Sequence, residues 1–329
     1  MKYCACCGLP ETYPGIHFNE QEICNFCHFY KENRNFLENT DLLEELFASR
    51  LEAAKEKAKA NGSKYDCLVG ISGGKDSAYV VYQLKHKYNM RILTFSYDNC
   101  FSTDYGKKNI ETIVKKLDVD HVTFSLKDSQ VKKYYKMCTK MFHNFCMVCF
   151  HLIHYTSHLI AGEKKIPLIV NGRTKGQVLQ SADSTKLLEP FERSHNLKEF
   201  EYQMFGDKVE KAAKNKRNDY LEDYDIESLS YFMYHPYNED EICSFLQKKI
   251  AWQRADAGIP HADCWAHAIA EKFNLDSKGY PVMTGELAVM VRQGELTIEE
   301  AAKRREEDTQ RYQNLDREIL EQFNQTIGV

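Results

Sequence analysis

Tyr65-Asp-Cys-Leu-Val-Gly-Ile-Ser-Gly-Gly-Lys-Asp-Ser-Ala-Tyr-Val-Val-Tyr-Gln-Leu84 decides the fold. Its first seven residues, Tyr65–Ile71, read as a buried strand, and Ala78–Leu84 read as a helix with one apolar face. Between them stands a glycine-rich turn, Ser72-Gly-Gly-Lys-Asp-Ser77. A turn of this kind aims backbone N–H groups and the positive end of the helix at one point, which makes a phosphate site. Lys75 adds a point charge, and Ser72 and Ser77 add hydroxyl donors. The spacing is not that of the Walker loop, which places four residues between its first glycine and a Gly-Lys pair. Outward from the turn, strand-like runs recur at Arg91–Tyr97, Val122–Ser125 and Pro167–Asn171, with helical stretches between them. This alternation predicts βαβ units and an α/β, doubly wound parallel sheet. Ligands of such sheets sit beyond the carboxyl ends of the strands, where Ser72, Asp98 and Asn171 fall.

The hexapeptide resembles the PP-loop, the SGGxDS signature of the N-type ATP pyrophosphatases (adenine nucleotide alpha hydrolase-like proteins), which cleave ATP to AMP and pyrophosphate. The resemblance implies ATP and Mg2+ as cofactors. It places Gly70, Ser72, Gly73, Gly74, Lys75, Asp76 and Ser77 around the phosphates, with Lys75 and Asp76 catalytic and Asp76 orienting the loop or a Mg2+ ion. Ser96, Asp98 and Gly172 are then expected beside the adenosine.

The chain has 329 residues, 43% of them hydrophobic, and a formal net charge of −4. That is enough for one large or two modest domains. No stretch approaches the ~20 apolar residues that span a bilayer. The cysteine-rich amino-terminal stretch does not read as a signal peptide, so a cytoplasmic protein with no membrane partner is expected. Twelve cysteines in such a chain point to metal or catalysis before disulfides. Mild acidity counts against a large nucleic-acid footprint, and the basic run Lys211–Arg217 reads as a solvated helix face. The organisation expected is a zinc-ribbon unit over 1–30, linker helices over 31–64 and a PP-loop nucleotide-binding domain over 65–182. A charged and aromatic, mostly helical, substrate-facing insertion without a strand pattern follows over 183–230. The end of the core sheet and a helical region fill 231–329, closing on a helix over Ile298–Gln322.

Cys4-x-x-Cys7 and Cys24-x-x-Cys27 are sixteen residues apart. Two such knuckles at this distance suit four thiolates closing on Zn2+, with an iron site of rubredoxin type as the alternative. A closed site of this kind is structural, and its metal supplies folding energy that so small a unit lacks. Cys6 is an extra cysteine, and His28 a secondary candidate ligand. Cys146-Met-Val-Cys149 stands beside His143, His151 and His154. Taken alone, this CxxC reads as a redox pair, half of a metal site or packing, and the histidines as pocket or ordinary residues. Cys67 reads as core, Cys243 as core within a helix over Glu241–Lys249, and Cys100 and Cys138 stay ambiguous.

Two further resemblances bear on the chemistry. Tyr234-His-Pro-Tyr-Asn-Glu-Asp-Glu-Ile242 is similar to the segment after the last core strand of tRNA thiolation enzymes, the 2-thiocytidine synthetases among them. A further cysteine follows it there, and its counterpart here closes Gly258-Ile-Pro-His-Ala-Asp-Cys264. This resemblance implies a 4Fe-4S cluster on Cys146, Cys149 and Cys264, with Cys243 as the rival third ligand and the fourth iron open to sulfide. In contrast, Lys2–Phe18 with Cys24-Asn-Phe-Cys27, and the stretch Glu286–Ala301, resemble the N-acetyl sugar amidotransferases of lipopolysaccharide and nonulosonic-acid biosynthesis. The chain departs from many relatives at Asn171-Gly-Arg-Thr-Lys-Gly-Gln177, where Lys175-Gly176 stands instead of an acidic pair. Both branches adenylate a carbonyl or amide oxygen. The first then inserts sulfur from a sulfide donor or cysteine desulfurase, or from a persulfide on Cys146, Cys149 or Cys264. The second inserts ammonia from a glutaminase partner. The negative charge and single knuckle favour a small-molecule substrate over tRNA, and the zinc unit or terminal helix offers a homodimer contact. A non-catalytic nucleotide sensor is the third reading, which an intact SGGKDS disfavours.

Overall fold

The computed structural model describes residues 2–142, 145–180, 225–254 and 263–328, with backbone alone at 138, 140–142, 147 and 151. Beyond the cysteine-rich start, α1 (Asn25–Leu37) and α2 (Thr40–Ala60) lead to β1 (Cys67–Gly70). Then α3 (Lys75–His86), β2 (Ile92–Asp98), α4 (Asp104–Leu117), β3 (Asp120–Ser125), α5 (Asp128–Phe142), α6 (Cys146–Glu163), β4 (Leu168–Thr174) and α7 (Lys175–Leu179) follow. After them come β5 (Glu227–Ser230), α8 (Tyr231–Tyr234) and α9 (Glu239–Ile250), then α10 (His267–Lys278), α11 (Thr284–Gln293), α12 (Ile298–Gln313) and α13 (Arg317–Ile327).

The strands form one parallel sheet in the order β3-β2-β1-β4-β5. The chain runs from β1 out to one edge through β2 and β3, then returns to the other side of β1 as β4. At such a reversal a crevice opens outside the carboxyl ends of the two central strands, and here the glycine-rich loop leaves β1 beside Gly172 of β4.

The apolar run of β1 is buried on both faces, as parallel sheets require. Cys67 and Val69 face Phe47, Leu51, Val80 and Leu84. Leu68 faces the opposite way, against Leu93, Phe95, Ile160 and Ile169. Each such Leu, Val or Ile contributes roughly 1.5–3 kcal/mol by leaving water. In α2 the buried positions Leu43, Phe47, Leu51, Ala54 and Ala58 make one stripe, the helical spacing that lays it on the sheet. A further cluster lies beyond the end of β2, where Phe101, Tyr135, Phe145, Val148, Ile269 and Phe323 join the loop after β2 to α5, α6, α10 and α13.

Two expectations are corrected. The segment over 183–230 carries a strand, β5, at its end: Leu168↔Glu227 through Asn171↔Ser230 pair in register. Only Leu229 of its four residues is buried, so the strand is made by hydrogen bonds to β4 and leaves no periodic trace. Residues 181–224, including Lys211–Arg217, lie outside the described residues. The helix expected over Ile298–Gln322 is two helices. Asn314 caps the first, and Asp316 Oδ1 accepts from Glu318 N at 3.0 Å to start the second, since short polar side chains compete for backbone groups at helix ends. No helix among the described residues is long and apolar enough to cross a membrane.

Candidate active site

Gly73 holds φ +88°, and a Cβ there would stand 2.2 Å from the carbonyl oxygen of Gly106 in α4. Only glycine meets both demands. Trp252 Nε1 donates to Gly73 O at 2.9 Å, fixing the loop from the other side. Gly74 caps α3, Ser77 Oγ donates to Gly74 O at 3.3 Å, and Lys75 Nζ lies 3.5 Å from Asp76 Oδ2. Burial pushes the Asp76 carboxyl up, with Lys75 and a Tyr237 hydrogen bond opposing. Asp76 Oδ1 is shut off from solvent without a hydrogen-bond partner. A buried acceptor in that condition calls for a donor or a cation, and a hard cation such as Mg2+ suits its oxygen.

Two clefts open above the loop. One, of about 970 Å3, is lined by Ser72–Ser77, Gly172, Gln177, Tyr237 and Glu286. The other, of about 870 Å3, is lined by Gly70, Phe95, Ser96, Asp98, Ile169 and Cys264. Both fall in the size range of small-molecule sites. Ser96 and Asp98 thus share a wall with Gly70. Gly172 lies instead with the glycine-rich loop, where a Cβ would stand 3.0 Å from the backbone of Asp76. His121 hydrogen-bonds Ser96 Oγ at 3.1 Å. His154 lines the second cleft, while His143 and the side chain of His151 lie outside the described residues.

The dipeptide Lys175-Gly176 has a packing explanation. Lys175 Nζ donates to Leu37 O at 2.6 Å, closing the end of α1. A Cβ on Gly176 would stand 3.4 Å from Glu286 Cβ, so glycine leaves room for a carboxylate arriving from α11. Burial pushes Glu286 up to about 7, and Arg173 opposes that shift. Thr174 and Gln177 form a capping box that sets the turn carrying Arg173. No motif marks Arg173 or Glu286, which lie 113 positions apart.

Cys146, Cys149 and Cys264 come together in the apolar cluster beyond β2. Tyr135 Oη is 3.0 Å from Cys149 Sγ, and Asn99 Nδ2 donates to it at 3.7 Å. The distant cysteine is held by the loop after β2. Trp265 N donates to Phe101 O at 3.1 Å, Thr103 N donates to Asp263 O at 3.1 Å, and Ser102 bridges to Cys264. Asn99 and Tyr135 carried no motif. Burial pushes all three thiols up, Cys264 to about 12, so unassisted they stay protonated and unreactive. Cys67 and Cys243 sit in the main core. Cys100 is exposed, and the side chain of Cys138 lies outside the described residues.

Among the described residues, the thiols close enough to share a single ion are those of Cys4, Cys7, Cys24 and Cys27. Their Sγ atoms are 3.8 Å (Cys4–Cys27), 3.7 Å (Cys7–Cys24) and 3.6 Å (Cys24–Cys27) apart. A tetrahedral ion with metal–sulfur bonds of about 2.3 Å needs sulfurs roughly 3.8 Å apart. The four cysteines therefore fit one tetrahedral metal ion. Cys24 N and Arg292 Nη2 donate to Cys4 Sγ and Cys7 Sγ at 3.2 and 3.4 Å, the outer support such ligands use. His28 pairs with Asn19 at 2.9 Å and Cys6 is exposed, so neither joins.

Residues 66–139, from β1 through most of α5, match the family model described as Queuosine biosynthesis protein QueC. An uncharacterized protein of Methanocaldococcus jannaschii is 28% identical over 121 residues, covering 36% of this chain and 41% of that protein. The chain thus spans about two fifths of that curated relative, the 41% just given. Among solved structures, the U34-tRNA thiolase NcsA from Methanococcus maripaludis with its 4Fe-4S cluster is 15% identical. Its match covers 91% of this chain and 89% of that one, at a TM-score of 0.38. The NMN synthetase from Francisella tularensis is 12% identical over 77% of this chain and 94% of that one, at 0.40. The NH3-dependent NAD synthetase from Campylobacter jejuni is 12% identical over 67% and 97%, at 0.33.

Proposed function

We propose that this chain, built on a PP-loop nucleotide-binding domain, is a cytoplasmic ATP-dependent sulfurtransferase. It adenylates a carbonyl or amide oxygen of its substrate, releasing pyrophosphate, and then replaces that oxygen with sulfur as AMP leaves. The observation that carries this reading is the gathering of Cys146, Cys149 and Cys264 into one cluster, with Cys264 in the wall of the cleft that holds Ser96 and Asp98.

In the first step the substrate oxygen attacks the α-phosphorus, and the bond to the β-phosphate breaks. The Gly73 and Gly74 amides, Lys75, Ser72 and Ser77 hold the pyrophosphate oxygens, where charge builds up. Asp76 would hold Mg2+ through its Oδ1, which has no hydrogen-bond partner. Gly70, Ser96 and Asp98 receive the nucleoside. A 4Fe-4S cluster on Cys146, Cys149 and Cys264 would supply an iron without a protein ligand, where a sulfide donor can dock. Among the described residues these three thiols are not close enough to share a single ion, a spacing that a multi-iron group would accept. Tyr135 and Asn99 keep Cys149 oriented. The amino-terminal knuckle would hold Zn2+ in a closed, structural site.

The second reading, ammonia in place of sulfide, draws on one observation. The knuckle packs on Tyr280 and Ala288 and receives Arg292 and Arg305, and three of those four residues lie in or just after the stretch that resembles the amidotransferase tail. Cys264→Ser separates the two. After anaerobic reconstitution the variant is expected to lose most of its iron, while the core variant Cys243→Ser keeps it. Unchanged iron in Cys264→Ser contradicts the ligand assignment. Full ATP-dependent turnover by Cys264→Ser contradicts sulfur insertion and favours ammonia. A small-molecule substrate is proposed over tRNA, since a net charge of −4 gives little general attraction for a polyanion.

A further inference from the structure

The two clefts share three residues, Ser72, Arg173 and Asp263, so these mark where they join. A nucleotide with its base in one cleft and its pyrophosphate in the other must thread its phosphates through this junction. Arg173 is the cation there. Its Nη2 donates to Gln177 O at 2.8 Å, and its guanidinium lies 5.8 Å from the centre of the Phe150 ring. Burial disfavours its charge, and the Glu286 carboxylate opposes that effect. Glu286 comes from the first turn of α11 and packs on Gly176.

The surroundings of Glu286 decide what an arriving anion would do. Facing it are Arg173 from β4, the Gln177 amide from α7, Asp76 from α3, Glu271 from α10 and the Tyr13 phenol from the knuckle. Glu286 therefore faces one cation, Arg173, and two carboxylates, of which Asp76 has Lys75 Nζ at 3.5 Å. MgATP carries a net negative charge even with its Mg2+ counted, and negative charge brought beside a buried carboxyl favours the protonated acid. We propose that Arg173 is the ligand for the nucleotide's phosphate chain where the two clefts join, and that Glu286 is its resident counter-ion, taking up a proton as the phosphate arrives. This inference rests on the reading of Ser72–Ser77 as an ATP site and adds the residues that complete it.

The sign follows from linkage. If phosphate raises the affinity of Glu286 for a proton, a proton on Glu286 raises the affinity for phosphate by the same factor. In the free protein Glu286 sits at about 7. Binding should therefore be strongest below that pH and weaken as pH rises through it. A shift of one unit on binding corresponds to about tenfold in affinity between the two limits.

The experiment is calorimetric titration of the full chain with MgATP, and separately with Mg2+-pyrophosphate, from pH 6 to 9 in buffers of different ionisation enthalpy. Glu286→Gln is the reference that cancels the ligands' own ionisations. The wild type is expected to take up a fraction of a proton near pH 7.5 beyond that of Glu286→Gln, and to lose about tenfold more affinity across the range. Arg173→Met should weaken MgATP by about a hundredfold and abolish the difference, on the scale of a lost charge-assisted contact to phosphate. Identical proton uptake and pH slope in wild type and Glu286→Gln overturn the inference, as does wild-type affinity in Arg173→Met. Glu286→Gln is nearly isosteric, so its comparison decides the matter even if Arg173→Met fails to fold. Binding that depends on Lys75 but is indifferent to Arg173 and Glu286 overturns this inference alone. Absence of MgATP binding by the wild type overturns the ATP reading beneath it.

Discussion

Gly73→Ala is expected to abolish ATP binding while leaving most of the sheet intact. Two penalties coincide at this residue. Its φ of +88° is one that L-residues avoid, a cost of roughly 1–2 kcal/mol. The added methyl would also stand 2.2 Å from Gly106 O, and that oxygen has little room to retreat. Gly106 N donates to Thr103 Oγ1 at 3.0 Å, and Gly106 itself packs against the backbone of Asp263. Trp252 blocks movement on the opposite side. The loop must therefore open, and its amides no longer converge on phosphate. Affinity for MgATP should fall by at least about a hundredfold, the scale of two or three charge-assisted hydrogen bonds lost together. Gly62→Ala is the internal comparison. It has φ +67° but nothing within 4 Å of a new Cβ, so it should show only the backbone penalty, about 1 kcal/mol, and normal ATP binding. Calorimetry and thermal melts on the two variants check this, and Gly73→Ala with affinity within threefold of wild type contradicts the role given to the loop.

Cys24→Ser should have the largest effect on stability. Cys24 is fully buried, with its sulfur 3.6 and 3.7 Å from those of Cys27 and Cys7. Metal binding to four thiolates in such small units carries apparent free energies on the order of 10 kcal/mol. Part of that is spent ordering the knuckle, and the remainder holds it on the C-terminal helices. Tyr13 and Phe26 pack with Tyr280 and Ala288, and Tyr13 Oη donates to Gln180 Oε1 at 3.4 Å. Losing the ion should release these contacts and lower the melting temperature by about 10 °C, since each kcal/mol moves a chain of this size by a few degrees. The consequence should reach the proposed nucleotide site, because α11 carries Arg292 at the cysteine sulfurs and Glu286 at the cleft. ATP binding should weaken along with the melt. Zinc at one per chain and an unchanged melt in Cys24→Ser contradict the four-thiolate assignment.

What the amino acids disclosed in order, and what they withheld, follows from how far each feature depends on local sequence. The strand–turn–helix around Gly73 is local. A seven-residue apolar run, two glycines and an apolar helix face are all the information it needs, so it was readable. The four knuckle cysteines were readable because ligand spacing is imposed by one ion on a short chain. The Lys175-Gly176 dipeptide was visible only as a missing acidic pair. Its reason lies in Leu37 and Glu286, which no window around 175 contains. Asn99 and Tyr135 hold Cys149 by hydrogen bonds from the loop after β2 and from α5, and such contacts leave no periodicity. β5 escaped for the opposite reason. Four mostly polar residues become a strand because β4 offers an unpaired edge, and the Arg50–Glu227 ion pair ties them to α2.

Anaerobic purification with iron, acid-labile sulfide and zinc quantified per chain, alongside the visible spectrum, tests sulfur insertion most directly. Expected are about four irons, about four sulfides and one zinc per chain, with the broad visible absorption of a thiolate-bound 4Fe-4S cluster. Zinc alone, with no iron retained or taken up on reconstitution, contradicts it and leaves ammonia as the atom donor.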